Sequence, residues 1–204
     1  FNHAPPYNNS LSLPATKIIL PGFVMTAALE ATRGCPYRCE FCPETNIPGG
    51  TSFYKRPIQE VIDEIKKIPQ KTLMFYDTSL TIDPVYTKEL FKKMKGLHKK
   101  FFCNGNVDVL AQDKELVRLS KEAGCVAWLV GFESISQNTL DTVGKTTNMV
   151  EEYAQAIRNI HQNHMAVIGD FMFGFDTDTP EVFEKTLTVV KDLKIDVADF
   201  SILT

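Results

Sequence analysis

"DKELVRLSKEAGCVAWLVGFE", residues 113 to 133, changes character halfway along. The first part reads as an amphipathic helix that stops at Gly124, the residue type that most easily takes the left-handed turn closing a helix. The second part, from Cys125, is almost wholly apolar and of strand length, which reads as a buried strand. A helix running straight into a buried strand is half of a βαβ unit. The fold depends on whether that unit recurs.

It recurs in both directions. Apolar strand-length runs stand at 27–32 ("AALEAT"), 71–77 ("KTLMFYD"), 99–104 ("KKFFCN"), 166–175 ("AVIGDFMFGF") and 198–204 ("ADFSILT"). Between them, helical spacing marks 56–68, 83–97, 148–164 and 179–193. Asp83 with Pro84, and Pro180, mark helix starts. Six strands alternating with five helices predict an α/β fold of parallel strands with right-handed crossovers. The order alone does not choose between a barrel and an open doubly wound sheet. Either one places function at the carboxyl ends of the strands. The stretches that fall there are "GCPYRCEFCP" (34–43), "YDTS" (76–79), "CNGN" (103–106) and "FES" (132–134).

The composition narrows the class. A chain of 204 residues fits one domain with a sizeable core, and 44% apolar with 23% charged residues is ordinary for a globular protein. A net charge of −3 gives no basic excess for a nucleic-acid partner. No run of about 18 apolar residues predicts a membrane span. Residues 1–23, rich in Pro, Asn and Ser, read as a linker or irregular lead-in, with no signal-peptide pattern. The first residue is not Met, so a piece of a longer protein is expected, with a core domain over 24–204. Five cysteines, three of them crowded, argue for a reducing compartment and metal-type use of thiols.

Those three, Cys35, Cys39 and Cys42, are spaced C-x3-C-x2-C. A structural zinc site needs four ligands, usually as two separated pairs, and no second pair is present. A four-cysteine cluster would need Cys103 or Cys125; Cys125 begins its strand and so lies at the wrong end, whereas Cys103 stays open as a candidate. Its alternative is a small buried apolar residue. Three thiolates on a cubane leave one iron without a protein ligand, and an open metal position is where a reactant binds.

The stretch "RGCPYRCEFC" resembles the radical S-adenosylmethionine superfamily, whose C-x3-C-x2-C motif it matches, including the aromatic residue Phe41 before the last cysteine. The resemblance implies a (βα)6 partial TIM-like barrel. It implies that Cys35, Cys39 and Cys42 hold a [4Fe-4S] cluster whose fourth iron is chelated by S-adenosylmethionine. By the same resemblance, Glu133 at the end of the fourth strand binds the ribose hydroxyls, a suitable pairing for a carboxylate. Phe41 lies along the adenine, and Gly169 to Met172 approach it on the fifth strand. Asp77, Thr78 and Ser79 stand where the family has a Gly-Gly-Glu-like stretch contacting the methionyl amine, and this sequence departs from that pattern. Asn104, on the neighbouring turn, joins the expected cofactor contacts.

Residues 56–83, "GFESISQNTLDTVGK" and "GDFMFGFDTDTPEVFEKT" are similar to the cobalamin-associated branch, whose members methylate unactivated carbons or close rings. That implies a small, hydrophobic substrate, a reductant such as flavodoxin or ferredoxin, a cytoplasmic setting, and cobalamin held by a domain outside this chain. No D-x-H-x-x-G cobalamin signature is present. A methylthiotransferase-type radical enzyme and a non-enzymatic iron–sulfur or zinc protein are the alternatives. The aromatics of "KKFFCN" and "DFMFGFD" read as core before pocket lining, and the basic run 91–100 as a solvated helix end.

Overall fold

Strands and helices alternate along residues 26–203, the part described by this computed structural model. The expected lead-in at 1–23 lies outside the described residues. In chain order the elements are β1 (Thr26–Leu29), β2 (Thr32–Arg33), α1 (Pro43–Asn46), β3 (Tyr54–Lys55), α2 (Ile58–Lys67), β4 (Thr72–Phe75), α3 (Pro84–Met94) and β5 (Lys100–Asn104). They continue with α4 (Val107–Gln112), α5 (Lys114–Ala123), β6 (Cys125–Glu133), α6 (Gln137–Thr142), α7 (Tyr153–Gln162), β7 (Ala166–Phe173), α8 (Val182–Leu193) and β8 (Val197–Ile202).

Among the described residues, six strands form one sheet in the order β1-β4-β5-β6-β7-β8, every neighbouring pair parallel. The order never reverses. A doubly wound sheet must reverse at its switch point, so that alternative is excluded. Right-handed crossovers that always step the same way stack all the helices on one face. The other face becomes the inside of an open barrel.

The burial pattern follows from that geometry. Along β7, Val167, Gly169, Phe171 and Phe173 are buried towards the helices, while Ile168, Asp170 and Met172 are half-buried on the concave face. The helix-side core is aromatic: Phe75 meets Phe101 edge-on at 5.2 Å, and Phe91 meets Trp128 at 6.2 Å. Each fully buried ring of this kind contributes about 1.5–3 kcal/mol. Helices α2 and α5 complete the layer with Val61, Ile62 and Ile65, and with Leu116, Val117 and Leu119, at helical spacing. Asp83 and Asp113 cap α3 and α5, accepting from the backbone N–H of Tyr86 and Leu116 at 3.0 and 2.9 Å.

Several expected boundaries move, each for a local reason. "AALEAT" is not one strand. The Asp77 carboxylate captures the backbone N–H groups of Ala31 and Thr32, so the chain leaves the sheet after Leu29 and pairs antiparallel with β3 as β2. The expected helix at 148–164 starts only at Tyr153, because a 3-10 turn at Val150–Glu152 precedes it. Helices α4 and α6 were not anticipated; both are short, and neither offers a full amphipathic repeat. The basic run is only partly solvated: Lys99 donates to the carbonyls of Ile68 and Gln70, and Lys95 pairs with Glu122.

Candidate active site

The cysteine loop leaves β2 at Gly34, whose φ of +79° is open to glycine alone at low cost. A methyl group there would stand 1.9 Å from the carbonyl oxygen of Ser52. The loop is pinned to the 49–52 turn by Cys35 N–H donating to Gly50 O at 2.9 Å. Cys42 caps the short helix α1, and its N–H donates to Cys39 O at 3.1 Å. All five cysteines are free thiols. Cys39 is buried, and Cys35 and Cys42 are half-buried. Burial pushes the Cys35 and Cys39 thiols up, and the charge of the neighbouring cysteines adds to it, so the three groups are close enough to sense one another. A cationic cluster would relieve that repulsion.

The donor set fits a cubane better than a single ion. Among the described residues, no three His, Cys, Asp or Glu side chains stand where one metal ion could take them all. A cubane makes no such demand, because each thiolate meets a different iron. Cys103 does not join the loop. It is fully buried on the helix side of β5 and interacts with Cys125, so it is a core residue.

The floor under the loop is Asp77, at the end of β4 and 1% exposed. Its carboxylate accepts from Ala31 N–H (3.1 Å), from Thr32 N–H, and from the Thr32 hydroxyl at 2.6 Å. Arg56 and Tyr86 hold the same corner: Arg56 Nη1 donates to Glu30 O at 2.8 Å, and the Tyr86 hydroxyl donates to Arg56 O at 2.8 Å. Asp77 thus holds the backbone of Ala31 and Thr32 in place, a positioning role that its sequence context did not indicate. Ser79 is similarly spent on Thr81, with 2.9 Å between their hydroxyl oxygens. Thr78 is half-buried beside them. Asn104 donates to Asp77 O at 2.9 Å, while its Oδ1 is buried without a partner. An orphaned acceptor at the carboxyl end of a strand calls for a donor that the protein does not supply.

Glu133 ends β6 on the concave face with φ +62°, a left-handed conformation that is uncommon outside glycine. Two side chains hold it there. Asn148 Nδ2 donates to the carbonyls of Gly131 (2.8 Å) and Phe132 (3.0 Å), and the Tyr153 hydroxyl lies 2.8 Å from the carbonyls of both Phe132 and Ser134. Replacing Tyr153 by Phe is expected to lower stability by about 1–2 kcal/mol. Urea unfolding checks this: the midpoint falls while the slope is unchanged. The Glu133 carboxylate pairs with Lys145 at 2.9 Å, with the two side chains 11% and 16% exposed. Gly131 makes room for the pair, since a methyl group there would lie 2.4 Å from Glu133 Oε1.

On β7, Gly169 faces the helices. A methyl group there would stand 3.0 Å from the Phe132 ring, so its smallness serves packing on the helix side. Met172 faces the concave side, as does Asp170, whose carboxyl burial pushes up to about 6 with help from Glu133 and Asp199. Phe41 packs edge-on against Phe175 at 5.8 Å. Beside them opens a cavity of about 380 Å³ that also meets Val143, Thr177 and Leu203.

Lys145 was not anticipated from the sequence. The signal available was a lone lysine after Gly144, twelve residues beyond Glu133, and nothing in that spacing distinguishes it from a surface residue.

The site is thus a three-thiol loop at the carboxyl rim of a parallel partial barrel, with a mostly buried carboxylate–ammonium pair behind it. The family model for the Radical SAM superfamily matches residues 29–190, and the chain belongs to that superfamily. Among curated relatives, a bacteriochlorophyllide d C-12(1)-methyltransferase of Chlorobaculum tepidum is 31% identical over 180 residues, covering 85% of this chain and 39% of the relative. An anaerobic magnesium-protoporphyrin IX monomethyl ester cyclase of Cereibacter sphaeroides is 29% identical, covering 89% of this chain and 30% of the relative. The chain thus spans well under half the length of either. Among solved structures, the radical S-adenosylmethionine methyltransferase TsrM of Kitasatospora setae, with cobalamin and a [4Fe-4S] cluster bound, superposes with a TM-score of 0.78 at 20% identity, covering 86% of this chain and 36% of that one. The match establishes the shared partial-barrel fold. No helix among the described residues is long and apolar enough to cross a membrane.

Proposed function

We propose that this chain is the radical-generating core of a cobalamin-associated methyltransferase or cyclase. The observation that carries the reading is the placement of Cys35, Cys39 and Cys42 on one pinned loop, beside the Glu133–Lys145 pair and at the carboxyl ends of a parallel partial barrel. The kinship with tetrapyrrole methyltransferases and cyclases supports the branch.

In this reading the three cysteines hold three irons of a [4Fe-4S] cluster and leave the fourth for the methionyl amine and carboxylate of S-adenosylmethionine. When bound, the cluster supplies the electron that cleaves S-adenosylmethionine into methionine and a 5′-deoxyadenosyl radical able to abstract hydrogen. The protein's part is to bind, orient and exclude water. Glu133 accepts from the ribose hydroxyls. The orphaned Asn104 Oδ1 takes a donor from the methionyl end. Phe41, with the cavity it shares with Phe175, flanks the adenine. Asp77 fixes the backbone from which the cysteine loop departs.

The concave face carries Met74, Phe102, Leu129 and Met172, an apolar lining suited to a small hydrophobic substrate. Cobalamin belongs to sequence outside these residues, electrons come from a ferredoxin or flavodoxin, and free thiols suit a reducing cytoplasm. The test is anaerobic incubation of reconstituted protein with dithionite and S-adenosylmethionine, followed by chromatography. Release of 5′-deoxyadenosine is expected. A fully loaded cluster with no cleavage product overturns the proposal.

A further inference from the structure

The segment after α6 reaches back to the cysteine loop. Glu40 N–H donates to Val143 O at 3.0 Å, and Cys39 Sγ lies 3.7 Å from Gly144 O. The next residue, Lys145, places its ammonium 5.9 Å from the centre of the Phe41 ring, inside the cysteine motif. The ammonium is withdrawn from water and tied to Glu133 at 2.9 Å. Burial works against its charge and the hydrogen-bonded Glu133 carboxylate supports it, and on balance Lys145 holds its proton above the ordinary lysine range.

The pair is therefore a fixed, mostly buried set of charges, with the ammonium over the Phe41 ring of the cysteine motif and the carboxylate at the end of β6. Screening by salt is weak for partly buried charges, so both ends of the pair act on a charge that changes beside them. Reduction of a cluster held by the thiols adds one electron and one unit of negative charge.

We infer that Lys145, oriented by Glu133, sets the reduction potential of the cluster that Cys35, Cys39 and Cys42 hold, its positive charge making the cluster easier to reduce. This rests on the proposed cluster-bearing function. Electron by electron the step is simple: a low-potential ferredoxin or flavodoxin, or dithionite in the test tube, loses one electron and the cluster gains it. The ion pair changes no bonds; it shifts the equilibrium. The protein thereby lowers the demand on its reductant at the one point in the reaction where an electron must enter a buried site.

The sign of the effect separates this role from a merely structural one. Removing the ammonium leaves the Glu133 carboxylate uncompensated and makes reduction harder. Removing the carboxylate charge leaves the ammonium uncompensated and makes reduction easier. A loosened loop would not move the potential in opposite directions for the two changes.

The experiment is an EPR-monitored redox titration of the anaerobically reconstituted protein without S-adenosylmethionine, comparing wild type, Lys145→Met, Lys145→Arg and Glu133→Gln at matched iron and sulfide content. Lys145→Met is expected to lower the equilibrium constant for reduction about tenfold, a 59 mV negative shift for one electron. Glu133→Gln is expected to shift the midpoint positive, and Lys145→Arg to stay close to wild type. A fully loaded Lys145→Met with an unchanged midpoint overturns the inference, as does a shift of both charge-removing variants in the same direction. If Lys145→Met takes up no cluster, Glu133→Gln decides: a positive shift supports the inference and no shift overturns it. If wild type itself takes up no cluster, the proposed function falls and this inference with it. A loaded wild type with unmoved variants removes the inference alone.

Discussion

Alanine at Cys35, Cys39 or Cys42 is expected to abolish cluster retention and with it all cleavage of S-adenosylmethionine, while Cys103→Ala leaves both intact. The first three side chains sit on a loop that nothing else in the site can substitute, since among the described residues the only other thiols, Cys103 and Cys125, are buried on the far side of the sheet. With one thiolate gone, a cubane would have two open irons and only two protein bonds, and it would dissociate. Cys103→Ala removes only core atoms, at about 1 kcal/mol of stability. Iron and acid-labile sulfide per chain, measured after desalting, check both statements. Loss of the cluster in Cys103→Ala would mean a four-thiolate site with no open iron, and the enzyme reading would fail with it.

Asp77→Ala is expected to be the most destabilising of the polar substitutions, at about 3–5 kcal/mol. It strips the acceptor from the Ala31 N–H, the Thr32 N–H and the Thr32 hydroxyl, all in a buried corner, and each unsatisfied buried donor costs about 1–3 kcal/mol. Because that corner launches the cysteine loop, cluster uptake should fall along with stability. Asp77→Asn keeps one acceptor oxygen and should cost less. It also tests the charge. Burial pushes the Asp77 carboxyl up to about 6 against its hydrogen bonds to Thr32 and Ala31. A raised pKa means that the folded state holds its proton more tightly. The contribution is complete below the unfolded value near 3.8 and is lost as pH rises through about 6. Denaturant midpoints between pH 4 and 7 should show this decline in wild type and a flatter profile in Asp77→Asn.

Much of the frame could be read from the residues, because the relevant physics is local. Most strand-length apolar runs, the helix cap at Asp83 and the stop at Gly124 act over a few positions and appear in the structure. The direction of the sheet was not local. A barrel and a doubly wound sheet use the same alternation, and only the unreversed strand order separates them. The cysteine motif was equally plain, since its spacing is its signal.

The residues around it were less so. Gly169 also serves packing, since Phe132 and Ile195 fill the space a side chain would take, and nothing near it in the sequence shows that. Asp77 has the chemistry of a cofactor ligand, but backbone amides forty-five residues away in sequence claim it first. Lys145 gains its meaning only from contact with Glu133 and with a loop about a hundred residues earlier. These are long-range pairings, and periodicity carries no information about them.

The proposed open iron is tested by low-temperature EPR of the anaerobically reconstituted, reduced protein, recorded with and without S-adenosylmethionine. A [4Fe-4S]+ signal whose g-values change when S-adenosylmethionine is added is expected, because the ligand reaches an iron that Cys35, Cys39 and Cys42 leave open. A cluster signal indifferent to S-adenosylmethionine, or tight zinc binding in place of iron, would contradict it.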